Sequence, residues 1–569
     1  MAPERSGDSD VMDTSGEHLC WMPSTSAGSV GSSTSLPVVL PPELLRGVPL
    51  HLCLSGCGKH WDYSATGLQQ RSKAAQKLDV WRLSRPVDRL ENFLSHDWHT
   101  SRWLKLLALL VVFNSRAAVV VSLVVSLLVG MLRAWGLLPD ASWTVAFGYA
   151  AYLLTFMFWQ RLRALCKPRM VFMDRLCIAQ RDQGLKKQGI MGLAAFLNCS
   201  EKLTILWSPS YFQRLWCVYE LAGYMRRPYH KEELIEVMPV KLALLMCITA
   251  TFGGVMGRGS ETFMAERLET DSRANALLVF VPVGLAFGLV ALMMRVFAGI
   301  MKDLQQLPMQ LDTFRIQDAL STCCSLQHVH PETGEEMPCD RELVFATLQQ
   351  WYGDPEHVGE EHLDFFNDEV KKRLAPRILR DVGGSNLPLT SSCCVAAFSS
   401  LPRLANTVAK LAQAPDPNAA EVHVPLWASR VCMDFLFDLI LPMFAMHLGY
   451  YLLQAWTARI QPRSPWSKHC LALLISFMTV GSVAAANRVF SAVNSANEDS
   501  WLPALPFFAL VASTSGLLLR GRCNHAAEGS VWARQKRGES LGHSFEERQG
   551  ASQDRSNPDM AEDDDVFSI

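Results

Sequence analysis

Seven apolar runs dictate most of what this chain can become. They cover residues 104–138, 143–159, 240–255, 274–300, 431–456, 469–490 and 501–519. Each is close to or above the roughly 17–25 apolar residues that a helix needs to cross a bilayer. Several carry almost no charge along their whole length, which a core helix of a soluble domain rarely does. Hydrophobic residues make up 49% of the chain and charged residues only 19%, a balance too apolar for a wholly soluble protein. The expectation is a multi-pass integral membrane protein with about seven transmembrane helices, its first partner being the lipid bilayer. The first run is interrupted by Asn114, Ser115 and Arg116. Its opening, TSRWLKLLALL, reads as an interfacial or cytosolic helix that continues into the span.

Charge places the soluble parts. Basic residues favour the cytosolic side of a membrane. Arg161, Arg163, Lys167 and Arg169 follow the second run, and Arg226, Arg227 and Lys231 precede the third. Residues 104–160 and 240–300 then form two transmembrane hairpins, with residues 161–239 and 301–430 in the cytosol. The last three spans, within 431–519, break this scheme. Arg459, Arg463 and Lys468 after the fifth run, and Arg520 and Arg522 after the seventh, all look cytosolic, yet simple alternation puts both groups outside.

The remaining sequence is less constrained. Residues 1–45 are rich in Ser, Gly, Thr and Pro, and residues 520–569 form a polar tail ending AEDDDVFSI; both are expected to be disordered. The start of the chain has no basic region followed by an apolar run, so no cleaved signal is expected. The net charge of −2 gives no reason to expect nucleic acid as a partner. The 16 cysteines are scattered or adjacent, as at Cys323-Cys324 and Cys393-Cys394, and match no disulfide scaffold. Helical patterning appears at 341–352, 362–379 and, more loosely, 399–413, which makes 301–430 a mostly helical region.

Residues 161–239 carry the chemistry. Two short apolar runs, 170–173 and 203–207, suit strands of a parallel sheet buried on both faces. Between them Ile190, Leu193, Ala194 and Leu197 share one helix face. Leu215, Val218, Leu221, Ala222 and Met225 define a second amphipathic helix, and 234–237 a further strand. Residues 90–94, upstream of the first hairpin and within the 46–103 block, add a strand ahead of these. The alternation argues a doubly wound α/β sheet interrupted by a transmembrane hairpin. Such sheets bind ligands beyond the carboxyl ends of their strands. Ser95, His96 and Asp97 fall there, as do Asp174 with Arg175, and Ser208 with Ser210. Trp216 and Glu220, four residues apart, share a face of the following helix.

These boxes resemble the TIR (Toll/interleukin-1 receptor) domain, a flavodoxin-like fold. FLSHDW is similar to its first-strand box, and Phe172–Asp174 resembles its second. SEKLTILWS resembles its third strand, and YFQRLWCVYEL its Trp-Cys-x-x-Glu-Leu box. The similarity covers about 80 residues. The layout of the whole chain also resembles multi-pass membrane families of dinoflagellate algae, which implies no activity. The TIR resemblance implies a module for signalling or protein interaction, with homo-oligomers formed through it. It also implies an alternative: hydrolysis of NAD as substrate, with Glu220 stabilising the oxocarbenium-like ribose. In that case Trp216 stacks on a ring, and Ser95 and Asp174 line the ribose and phosphate side. No cofactor is implied with certainty. The chain departs from the family at His96-Asp97 and in lacking a visible fifth strand, because an apolar run begins near residue 240.

Each candidate has a plainer reading. Glu220 can be a surface carboxylate paired with Arg214 or Lys202. Trp216 and Cys217 can be core, His96 with Asp97 a local turn, and Asp174 a helix cap. Cys323, Cys324, His328, His330 and Cys339 have a loose metal-ligand look, but their spacing matches no familiar zinc module, and a plain loop is the favoured reading. Asp434 and Asp438 near the start of the fifth span, with His447 deeper in, are polar residues where function often resides. They leave open a transporter or channel, with the TIR-like part regulatory.

Overall fold

In the computed structural model, residues 40–61, 80–139, 142–226, 234–251, 302–329, 334–353, 361–382, 389–413 and 424–459 are described, with scattered positions at 293–300 and 467–513. The expected disordered tails and the runs 274–300 and 501–519 lie largely or wholly outside these residues, and the run 469–490 is described only at scattered helical positions.

Six strands form one mixed sheet: β1 (Arg46–Pro49), β2 (Arg85–Pro86), β3 (Leu90–His96), β4 (Met170–Phe172), β5 (Ser200–Trp207) and β6 (Ile235–Pro239), in the order β2-β1-β4-β3-β5-β6. The four strands expected from the sequence are parallel. Asn92 pairs with Val171, Phe93 with Leu203 and Ile205 with Val237. Their spatial order is second, first, third, fourth, that of a doubly wound sheet with its switch point between β3 and β5. The wholly parallel expectation needs correction. β1 pairs antiparallel with β4 through Val48 and Val171, and β2 extends that edge. These strands are too short for an alternating pattern, and Pro49 and Pro86 lie at their ends, so the sequence carried no signal for them.

The first helices are α1 (Arg102–Ala134), α2 (Ala146–Ala164), α3 (Gln183–Met191), α4 (Leu193–Cys199) and α5 (Leu215–Met225); α1, α4 and α5 pack on the sheet, and α2 packs on α1. The single helix expected around Ile190–Leu197 is two, α3 and α4, meeting at Gly192. Leu193, Leu197, Val218, Leu221 and Ala222 are buried against the sheet as their spacing required.

α1 belongs to two environments at once. It starts just beyond the carboxyl end of β3, and Ala108, Leu109 and Val111 are wholly buried in the sheet's core. It then continues without a break past Asn114, Ser115 and Arg116. From there it exposes Val120, Val124, Leu127, Leu128 and Met131, while α2 exposes Phe147, Leu154, Met157 and Phe158. α2 runs back antiparallel to α1: Asn114 Nδ2 donates to the Phe156 carbonyl at 2.7 Å, and Ser122 Oγ to that of Gly148 at 3.0 Å. The hairpin returns at the opposite, amino end of the strands, where Arg163 and Arg169 pair with Glu91. Among the described residues α1 is the one helix long and apolar enough to cross a membrane; Val240–Thr251, directly after β6, is a shorter apolar helix.

The region expected as a separate helical domain divides in two. Its first part includes α6 (Asp340–Tyr352) and α7 (Glu361–Glu369) and packs on α5. Trp351 lies against Tyr219 with ring centroids 5.2 Å apart, and Tyr352 donates to the Ala222 carbonyl. Its second part, α8 (Leu389–Ser400) and α9 (Leu404–Ala412), joined by a tight turn at Leu401–Arg403, lies along the α1–α2 hairpin. Tyr152 and Tyr149 donate to the Cys394 and Ser399 carbonyls, and Arg133 donates to Asn406. α10 (Val424–Arg459) packs against both α8 and α9.

Candidate functional site

The carboxyl edge of the sheet, at the switch point between β3 and β5, gathers most of the polar residues singled out above. Because α1 leaves from this edge and the hairpin returns at the other, the site faces away from the apolar end of α1.

Ser95 Oγ donates to Glu220 Oε2 at 2.5 Å, and the same oxygen lies 2.7 Å from the Tyr211 hydroxyl. Burial pushes the Glu220 carboxyl well above the usual range; the Ser95 hydrogen bond and Arg214 only partly oppose this, and the nearby charge of Asp174 adds to it. Glu220 is therefore not the surface partner of Arg214 or Lys202 that its helix position allowed. Arg214 instead pairs with Asp97 at 3.3 Å.

Asp97 is buried and anchors a turn. It accepts from Ser210 Oγ at 2.6 Å, Ser208 Oγ at 3.3 Å, Thr100 Oγ1 at 3.3 Å and the His99 backbone at 3.2 Å. Burial works against its charge, but Ser210, the His99 amide and Arg214 outweigh burial and hold its carboxyl below the ordinary value. His96 points the other way, edge-on to Trp61 with centroids 4.9 Å apart. Burial, with Lys105 nearby, lowers its pKa to about 4, so it is neutral at physiological pH. His96 and Asp97 are thus neighbours in sequence with separate structural surroundings, and no direct bond joins their side chains. Asp174 opens a short helix and accepts from Trp98 Nε1 at 2.5 Å.

Trp216 is not in this cluster. Its indole donates to Asp340 Oδ2 at 3.1 Å, at the first residue of α6. Sequence reasoning did not find Tyr211, Trp61, Lys105 or Asp340. Tyr211, Trp61 and Asp340 act through contacts across large sequence separations, which no local spacing reports, while Lys105 reaches back from α1 to the end of β3.

A second cluster lies beside Trp216. Cys323, Cys324, His328 and Cys339 bring one ligand atom each within 4.8 Å of the others. His330 lies outside the described residues. Cys324 Sγ is 3.9 Å from Cys323 Sγ, 3.8 Å from Cys339 Sγ and 3.6 Å from His328 Nε2.

Of the apolar-run candidates, Asp438 on α10 accepts from Arg403 Nη1 at 3.4 Å, at the turn between α8 and α9. Asp434 is exposed on the same helix, and His447 lies on it with its side chain outside the description.

Comparison of the chain with protein-family models, with curated proteins and with solved structures finds no match.

Proposed function

We propose that this chain is a multi-pass membrane protein whose cytosolic module is TIR-like and acts in signalling through self- or partner association. The observation that carries this reading is α1 itself, a single helix whose first turns are core of the sheet and whose later turns form an apolar, outward-facing band. Arg116 and Trp135 bracket that band. Nineteen residues at 1.5 Å rise span about 28 Å, close to the hydrocarbon thickness of a bilayer. Trp135 and Trp143 sit at the far end and Arg116 and Arg161 at the near end, as interfacial anchoring and the positive-inside bias favour. Small residues Ser122, Ser126 and Gly148 lie between α1 and α2, and Gly130 lies against α9, the packing that membrane helices use.

The α8–α9 segment supplies a crossing that the apolar runs alone did not suggest. Cys394, Ser399, Pro402 and Val408 meet positions successively farther along the hairpin, from Tyr152 to Gly130. One extra crossing at 389–412 turns seven spans into eight. Arg459, Arg463, Lys468, Arg520 and Arg522 then all fall on the cytosolic side, which removes the conflict in the charge pattern. Crosslinking in native membranes tests the signalling reading. Oligomers or a captured partner, lost when residues 80–100 are deleted, are the expected result; a chain that stays monomeric and captures nothing sinks it.

A second reading rests on the Ser95–Glu220 bond. It sets a carboxyl group at the switch point, where a carboxylate opposite a ribose would stabilise oxocarbenium character in NAD cleavage. The purified chain incubated with NAD then releases nicotinamide, and Glu220→Ala abolishes release. No turnover by the wild-type protein at high density removes this reading.

A further inference from the structure

We propose that Cys323, Cys324, His328 and Cys339 bind one Zn2+ ion, and that this ion fixes the start of α5. The proposal does not depend on which of the two functional readings holds.

The donor set is three thiols and one imidazole, the composition of a closed structural zinc site. Zn–S bonds of about 2.3 Å in a tetrahedron place sulfurs about 3.8 Å apart. The observed Cys324 separations, 3.9 Å to Cys323 and 3.8 Å to Cys339, match that spacing. They are far too long for a disulfide. His328 Nε2, at 3.6 Å from Cys324 Sγ, stands at the fourth corner.

The backbone is shaped for this convergence. Gln327 and His328 both lie in the left-handed region, at φ 53° and 61°, which residues with a Cβ seldom adopt. That reversal brings the His328 imidazole back over Cys324, and the His328 amide donates to the Cys323 carbonyl at 2.8 Å. The thiols are supported from behind. The Asp340 amide donates to Cys323 Sγ at 3.2 Å, and the Ser321 hydroxyl lies 2.9 Å from it. Outer contacts of this kind orient metal ligands and raise affinity.

What the site would hold in place is visible on either side of the ligands. Leu320, three residues before Cys323, exchanges backbone hydrogen bonds with Gln213 and Leu215 at 2.6 and 3.1 Å. Asp340, immediately after Cys339, accepts from Trp216. Both contacts grip the first turn of α5, the helix that carries Glu220. A metal pinning residues 323 and 339 together therefore ties that turn to α6.

The test uses the full-length protein in detergent. Metal analysis of the wild type is expected to return one zinc per chain. Cys324→Ser and Cys339→Ser are each expected to lose it, while Cys166→Ser, at an exposed thiol elsewhere, keeps it. Ser321→Ala is expected to bind roughly tenfold more weakly. Should the cysteine variants fail to fold, the wild type still decides: after chelation, added Co2+ is expected to give the visible bands of tetrahedral thiolate coordination. Chelation is also expected to speed amide exchange at Leu215 and Leu320 by about tenfold. Zinc-free wild-type protein that gives no cobalt bands overturns the proposal, and so does zinc retained in Cys324→Ser.

Discussion

The Ser95 hydroxyl donates to Glu220 at 2.5 Å across a sequence separation of 125 residues. This one bond joins the end of β3 to α5 over the whole α1–α2 hairpin; burial, which the bond only partly opposes, raises the Glu220 carboxyl well above its usual range.

The raised carboxyl has a pH signature. A carboxyl whose folded pKa is raised stabilises the fold fully below its unfolded value of about 4.3, and this contribution is lost as pH rises toward the folded value. Glu220→Gln removes the loss. Thermal melts of variant and wild type are expected to diverge with rising pH, the variant gaining. A difference that stays constant from pH 4 to 8 contradicts the assignment.

His96 carries the opposite sign. Its folded pKa, lowered to about 4 from 6.5, means the folded state resists protonation. The stability this gives is present above about pH 6.5 and is lost as pH falls toward 4. His96→Gln is expected to flatten the acid limb of the stability curve between those values, and an unchanged limb contradicts it.

Ser95→Ala tests the bond directly. It leaves Glu220 and the Tyr211 hydroxyl without their shared partner, a loss expected to cost about 1–3 kcal/mol. The melting temperature of the purified chain is the readout, and a shift indistinguishable from an exposed-serine control counts against the geometry.

Gly148 tests the packing of the hairpin. A Cβ there comes within 2.6 Å of Ser126 Oγ and 2.9 Å of Pro402 Cβ. Gly148→Ala is expected to destabilise the detergent-solubilised protein by about 1–3 kcal/mol. Gly136→Ala, with no atom within 4 Å but φ +73°, probes backbone strain alone and makes the comparison.

The proposed crossing at 389–412 is open to chemical mapping. With eight spans, a tag inserted near residue 416 and one near residue 464 react with membrane-impermeant reagents from opposite sides of sealed vesicles, the second from the side of residues 161–239. The reverse pattern returns α8 and α9 to the cytosol.

Much of the sheet was legible along the chain. Apolar runs at 170–173 and 203–207 became β4 and β5, as suits strands buried on both faces, and the strands expected at 90–94 and 234–237 became β3 and β6 although Glu91, Asn92 and Glu236 interrupt them. The helix at 215–225 followed from its spacing, and the polar residues after β3, β4 and β5 fell at one edge because parallel strands all end on the same side. Local pattern also located α1, through its length and lack of charge.

Tertiary structure alone decided how these parts combine. β1 and β2 owe their place to pairing with β4 and with each other, not to their own four and two residues. α8 and α9 are rich in small and polar residues that hide from a hydropathy scan, yet they lie along the hairpin because Gly130, Gly148 and Tyr152 offer close approach and hydrogen bonds. Cys323, Cys324, His328 and Cys339 have a spacing that names no motif, and only the reversal at Gln327–His328 brings them to one point. Sequence fixes the period and polarity of each element, because those are local properties. Which side chains meet is set by chain paths that return from a hundred residues away.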